Sequence, residues 1–142
     1  MQTEKLKVLF LCTGNSARSQ MAEAFLRKFA GDRFEVFSAG LEPQGINPFA
    51  RKAMNEIGFD LSGQHSKDVA QFLGHVHFGY VITLCAQAED RCPIFPGATT
   101  RLHWPFEDPA GFEGTDEQKL NKFRDIRDQI RTRIDAWLRE NP

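Results

Sequence analysis

Val8, Leu9, Phe10 and Leu11 form an unbroken apolar run that ends on Cys12, and from Ser19 onward the apolar residues recur at spacings of three and four. A strand that is hydrophobic at consecutive positions is buried on both faces, which is the habit of a parallel strand inside an α/β sheet. Met21, Ala22, Phe25, Leu26 and Phe29 then share one helical face, and Gly31-Asp32 ends that helix. A buried strand feeding directly into an amphipathic helix excludes an all-β or all-α architecture for this end of the chain.

The rest of the chain continues the alternation. Phe34 to Ala39 reads as a second strand, ended by Gly40. Asn47-Pro48 starts a helix, because Asn caps the first free N–H groups and Pro fits the first helical position. Ala50, Ala53, Met54 and Ile57 continue its face, and Gly58 suits a left-handed stop. Ser66 is expected to cap a short helix through Val69 and Phe72. His77 to Leu84 and Thr100 to Trp104 read as strands, and Pro105 to Gly114 as a functional loop. Thr115-Asp-Glu-Gln118 matches a capping box, and Leu120, Phe123, Ile126, Ile130, Ile134 and Trp137 mark a long final helix.

This order predicts one α/β domain over residues 1–142: a three-layer sandwich around a central four-stranded, mostly parallel sheet. In such sheets the ligand lies beyond the carboxyl ends of the strands. Cys12, Cys85 and the 105–114 loop all follow strands, so they can meet although about 70 residues separate the two cysteines. The formal net charge of -1, from 18 basic and 19 acidic residues, argues against a nucleic-acid partner. No run approaches the ~18 apolar residues of a membrane span. The first residues, Met1 to Lys7, show no signal segment, so the expected location is cytoplasmic and the expected state a monomer. Three cysteines make no disulfide scaffold. His65, His75, His77 and His103 show no ligand spacing, and no nucleotide-binding glycine motif is present, so neither metal nor cofactor is expected.

Cys12-Thr13-Gly14-Asn15-Ser16-Ala17-Arg18-Ser19 carries the chemistry. A tight loop between strand and helix turns successive N–H groups inward as an anion nest, and the helix adds its positive end. Gly14 is expected to adopt backbone angles other residues resist, and Asn15 to accept a left-handed conformation. The nest favours Cys12 as thiolate, the attacking form. Arg18 offers a planar fork to two oxygens of a tetrahedral oxyanion, and Ser19 is placed to donate to the Cys12 sulfur. Release of an oxygen leaving group needs a proton. Asp108 is one candidate donor, its neighbour Glu107 another.

Cys85 and Cys92 lie seven positions apart. On a helix that is about 10 Å of rise, whereas a disulfide needs Cα atoms within about 7 Å. If the segment is helical at rest, it must unwind before these two thiols can join. Its polar residues Gln87, Glu89, Asp90 and Arg91 make unwinding easy.

The run Cys12 to Glu23 resembles the signature of arsenate reductases built on the low-molecular-weight tyrosine phosphatase fold. The resemblance extends through Ser38-Ala39-Gly40, Asn47-Pro48, Thr83-Leu84-Cys85, Cys92-Pro93, His103-Trp104 and Glu107-Asp108-Pro109-Ala110, and covers nearly the whole chain. It implies that Cys12 is the nucleophile, Arg18 the oxyanion clamp and Asp108 the general acid. It implies a relay in which Cys85 and then Cys92 form disulfides, with arsenate as substrate and arsenite as product. Phosphate or sulfate would fit the same pocket. The implied reductant is thioredoxin, with glutaredoxin and glutathione as the alternative. Two departures stand out. Ala17 replaces a second loop cysteine common among relatives. Lys67 lies where some relatives have Asp near a cation site at Asn15, Glu23 and Ser38, so its ammonium either pairs with Glu23 or is merely solvated. Two other functions compete. A tyrosine phosphatase would use Cys12, Arg18 and Asp108 but neither later cysteine. A non-catalytic anion-binding or redox-sensing module would leave Asp108 idle.

Overall fold

The computed structural model describes residues 5–93, 95 and 99–142. Met1 to Glu4, part of the segment without a signal pattern, lie outside the described residues. Four strands, β1 (Leu6–Cys12), β2 (Phe34–Gly40), β3 (Tyr80–Thr83) and β4 (Thr100–His103), pair in the order β2-β1-β3-β4. Every pairing is parallel. Cys12 sits opposite Gly40 and Leu11 opposite Thr83, so the carboxyl ends of the central strands finish level with one another.

Four α-helices flank this sheet: α1 (Arg18–Ala30), α2 (Pro48–Asn55), α3 (Ala86–Arg91) and α4 (Asp116–Glu140). The pleat of β1 divides its apolar run between two cores. Val8 and Phe10 join the larger one, with Met21 and Phe25 of α1, Ala53 and Met54 of α2, and Phe123, Ile130 and Ile134 of α4. Leu9 and Leu11 face the smaller one, with Val69, Phe78, Val81, Ala88 and Phe95. The continuous hydrophobicity of the strand follows from that double burial. Trp137 of α4 packs its ring 5.3 Å from Phe34, 5.1 Å from Tyr80 and 5.9 Å from Trp104, which ties the long helix across three strands.

Local signals hold where the chemistry is local. Asn47 accepts from the Phe49 N–H at 2.8 Å with Pro48 following it. Thr115 and Gln118 form the reciprocal capping box that opens α4. Gly58 takes a left-handed φ of 84° just after α2. Two expectations need correction. Ser66 does not cap the short helix; that element is a single 3-10 turn, Val69–Gln71, capped by Asp68. The Ser66 hydroxyl donates instead to the Asn15 carbonyl at 2.7 Å. The third strand begins at Tyr80 rather than His77. His77 is exposed, while Phe78 is buried as irregular chain in the smaller core, so burial without pairing mimicked a strand.

Candidate active site

The loop from Cys12 to Ala17 is held from outside through its carbonyl groups. The carbonyls of Cys12, Thr13, Gly14 and Ser16 accept from the N–H groups of Leu41, Glu42, Gln44 and Asn47 at 3.3, 2.8, 3.0 and 3.0 Å. The Asn15 carbonyl accepts from the Gln20 side chain at 3.0 Å and from Ser66. In a trans peptide the N–H points opposite to its carbonyl. Anchoring these carbonyls outward therefore turns the N–H groups of Thr13 through Ala17 toward the interior. Ala17, at the start of α1, supplies no side-chain cap, so the first helical N–H groups also stay free for an anion.

Asn15 organises the loop. It is fully buried, with a left-handed φ of 46°. Its amide donates to Ser19 at 2.8 Å and Ser38 at 2.9 Å, and its oxygen accepts from the Lys67 N–H at 2.9 Å. Ser38 in turn donates to Glu23. Two readings change here. Asn15 takes the left-handed conformation expected of it, whereas Gly14 has no positive φ and simply faces the Gln44 side chain, 3.2 Å from where a Cβ would stand. Ser19 serves as acceptor to Asn15, and no bond from it to the Cys12 sulfur is formed. Gly40 is needed for close approach, because a Cβ would fall 2.8 Å from both the Asn15 nitrogen and the Thr13 oxygen. Lys67 is not a solvated surface lysine. Its side chain is only 12% exposed, with the ammonium 3.9 Å from Glu23 and donating to the His65 carbonyl at 2.6 Å.

Arg18 projects from the first turn of α1. One guanidinium nitrogen donates to the Phe106 carbonyl at 3.0 Å, and the other lies 3.8 Å from Asp108. Asp108 stands at the mouth with its side chain half exposed, fixed by a bond from the Ala110 N–H at 2.9 Å. Its rival Glu107 points to Lys122 at 2.9 Å. Between them is a cavity of about 110 Å³, lined by Cys12, Thr13, Gly14, Ser16, Ala17, Arg18, Gln44, Gln87, Asp108 and Ala110. Larger clefts elsewhere, such as one of about 500 Å³ beside Lys5, Arg27 and His65, bring no thiol to an anion nest. Gln44 and Gln87 escaped sequence reasoning. Their one signal was position, since each follows a strand at the carboxyl edge. Among the described residues no cluster of three or more His, Cys, Asp or Glu side chains is arranged to hold a metal.

The sheet edge sets Cys85 beside the anion loop: its sulfur lies 3.4 Å from the Thr13 hydroxyl, and it shares the smaller core with Cys12. This changes the expected charge distribution. Cys12 is pushed well above the ordinary thiol value, first by donating to Cys85 and then by burial, against the pull of Arg18 and the Gly14 N–H. Cys85 is lowered to about 5, chiefly by the bond from Cys12. Burial opposes that shift; the Thr13 hydroxyl, the Ala88 N–H and Arg18 reinforce it. The pair thus holds one negative charge at neutral pH, seated on Cys85, because Cys85 collects donors while Cys12 supplies one. A thiolate absorbance step near pH 5 is expected, anionic above and neutral below, and it should vanish in Cys85→Ser. Its survival in that variant would put the charge on Cys12.

Cys85 also caps α3, accepting from the Ala88 N–H at 3.4 Å, and Cys92 closes the same six-residue helix at its other end. The two cysteines are thus separated by helix, as their spacing suggested. All three thiols are free. Burial pushes the Cys92 thiol up, against the pull of Arg101 and with a smaller push from Glu89.

A strand-to-helix cysteine loop with an arginine at its end and an aspartate across the mouth defines a phosphatase-like oxyanion site. The chain matches the low molecular weight phosphotyrosine protein phosphatase family over residues 7–141. It belongs to that family. Within it, the chain is 52% identical over 133 residues to an arsenate reductase of Halalkalibacterium halodurans, covering 94% of this chain and 95% of that one. An arsenate reductase solved in a phosphate-binding state superimposes with a TM-score of 0.76 at 33% identity, covering 95% of this chain and 98% of that one. A thioredoxin-dependent arsenate reductase of Corynebacterium glutamicum matches with a TM-score of 0.65 at 29% identity, over 96% of this chain and 63% of that longer one. The relatives named here are arsenate reductases.

Proposed function

We propose that this protein reduces arsenate to arsenite through a relay of its three cysteines, with thioredoxin restoring the thiols. The observation that carries the proposal is the placement of Cys85 against the anion loop, 3.4 Å from the Thr13 hydroxyl and in one buried cluster with Cys12. A phosphatase ends its cycle with water and has no use for a second thiol there.

Arsenate enters the nest and takes the forked guanidinium of Arg18 and the inward N–H groups. Cys12 gives its proton to the neighbouring Cys85 thiolate and attacks arsenic. Asp108 protonates the departing hydroxide, which leaves as water. Cys85 sheds its proton readily and attacks the Cys12 sulfur. The sulfur–arsenic bond breaks, arsenic keeps the electron pair, and arsenite leaves behind a Cys12–Cys85 disulfide. Cys92 then attacks Cys85, forming Cys85–Cys92 and releasing Cys12 as thiolate. Two thiols of thioredoxin reduce that disulfide by exchange. The net change is arsenate and a dithiol to arsenite, water and a disulfide. The reaction serves arsenic detoxification in the cytoplasm, carried out by a monomer. Glutaredoxin with glutathione is the competing reductant, and weak cleavage of phosphomonoesters is expected as a side activity of the same thiol and guanidinium.

Cys92→Ser should complete a single round and then stall with a Cys12–Cys85 disulfide, seen by mass spectrometry. Sustained arsenite production by that variant with thioredoxin, its reductase and NADPH would remove the second exchange from the scheme.

A further inference from the structure

Helix α3 is too short to hold itself together, since isolated helices under about a dozen residues are marginal in water. It buries only Ala88. What fixes it is polar: Gln87 accepts from the Thr13 hydroxyl at 3.1 Å, and the tie that reaches a buried partner in the sheet is made by Glu89. One carboxylate oxygen accepts from the buried Thr83 hydroxyl at 2.5 Å. The other lies 3.4 Å from the Arg101 guanidinium. Thr83 has a single proton, and giving it to Glu89 obliges His103 Nδ1, 2.8 Å away, to donate to the Thr83 oxygen. The middle of α3 is thereby tied to the ends of β3 and β4 through both oxygens of one side chain. The Arg91–Glu42 tie at 3.1 Å and the Arg101 arm of Glu89 are both exposed and weak, so the bond to buried Thr83 carries the clamp.

We propose that Glu89 is a positioning residue that clamps α3 to the sheet edge and so holds Cys92 apart from Cys85 in the resting protein. The clamp rests on the relay proposed above and adds a control to it. A Cys85–Cys92 disulfide formed without arsenate would consume reductant and withdraw Cys85 from Cys12. Keeping α3 wound prevents that shortcut, and keeps Cys92 in the half-buried setting where it stays a thiol. When Cys85 has joined Cys12, its sulfur no longer carries the charge that caps the Ala88 N–H. The helix then loses the support at its N-terminus, and Cys92 reaches Cys85.

The test uses the full chain carrying Cys12→Ser, so that only Cys85 and Cys92 can pair, and needs no arsenate. The reduced protein is equilibrated with glutathione and glutathione disulfide. Two thiols give up two electrons and two protons, and glutathione disulfide becomes two glutathione thiols. Adding Glu89→Gln, which keeps size and helix propensity, should speed closure and shift the equilibrium toward the disulfide by about tenfold. Thr83→Val should do the same, and the double variant should gain little beyond either, because both break one network. The melting temperature of reduced Glu89→Gln should stay within about 3 °C of its parent. Unchanged or slower closure overturns the clamp, as does a large general loss of stability. Failure of the disulfide to form in any of these proteins overturns the relay as well.

Discussion

Replacing Cys12 by serine should lower arsenite formation by more than about 10⁴-fold while leaving oxyanion binding within a few-fold of the parent. The two effects separate because they live on different atoms. Binding depends on Arg18 and on N–H groups whose direction is set by carbonyls anchored to residues 41–47, and serine disturbs none of these. Turnover depends on a sulfur that can bond arsenic and then accept a second sulfur. A hydroxyl can do neither, and the electron pair that arsenic must gain has no source. Arsenite measured in the presence of thioredoxin, its reductase and NADPH, beside phosphate binding by calorimetry, reads both. Turnover within tenfold of the parent would move the redox chemistry to another thiol. Loss of phosphate binding would show that the sulfur itself shapes the nest.

Asn15→Ala should be the most damaging change to stability among the polar residues of the loop. Asn15 is completely buried, adopts a left-handed backbone, and bonds to Ser19, Ser38 and the Lys67 N–H. Alanine would leave those partners without water and place a Cβ in a conformation that asparagine tolerates better. The expected loss is roughly 3 kcal/mol, or about 10 °C in melting temperature for a domain of this size. Activity should fall further than stability predicts, because the loop would lose the geometry that aims its N–H groups. Thermal unfolding and arsenite production at a temperature where the variant remains folded distinguish the two. A variant that melts within 2 °C of its parent would show that the backbone anchors alone suffice.

The elements that sequence made legible are those specified by neighbours in the chain. Thr115 and Gln118 determine a helix start between themselves, as do Asn47 and Pro48, and the apolar run of β1 needs only two cores to explain it. The cysteine loop belongs to the same class, since Cys12 and Arg18 lie within one turn. What stayed hidden depends on contacts between distant segments. The charge sits on Cys85 because the sheet brings it against Cys12 and Thr13, and nothing in either segment alone announces that. Ser66 looked like a helix cap because Asp68 does the same work two residues later, while the loop at Asn15 claims Ser66. Ser19 was expected to face the sulfur, but the Asn15 amide reaches it first. For Lys67 the sequence left two readings, pairing with Glu23 or plain solvation, and only the fold, which sets it beside buried Glu23, decides between them.

The segment after β2 acts as a mould for the anion nest, and it does so with backbone alone. Leu41, Glu42, Gln44 and Asn47 each contribute an N–H group, which every residue but proline possesses. Pro43 occupies a position in that stretch from which no such bond is drawn. Side chains in the segment have other tasks, Asn47 capping α2 and Gln44 lining the cavity, but the mould itself needs only the backbone. As a mould the stretch depends on its length: one inserted residue would put every later amide out of step with the carbonyl it must meet.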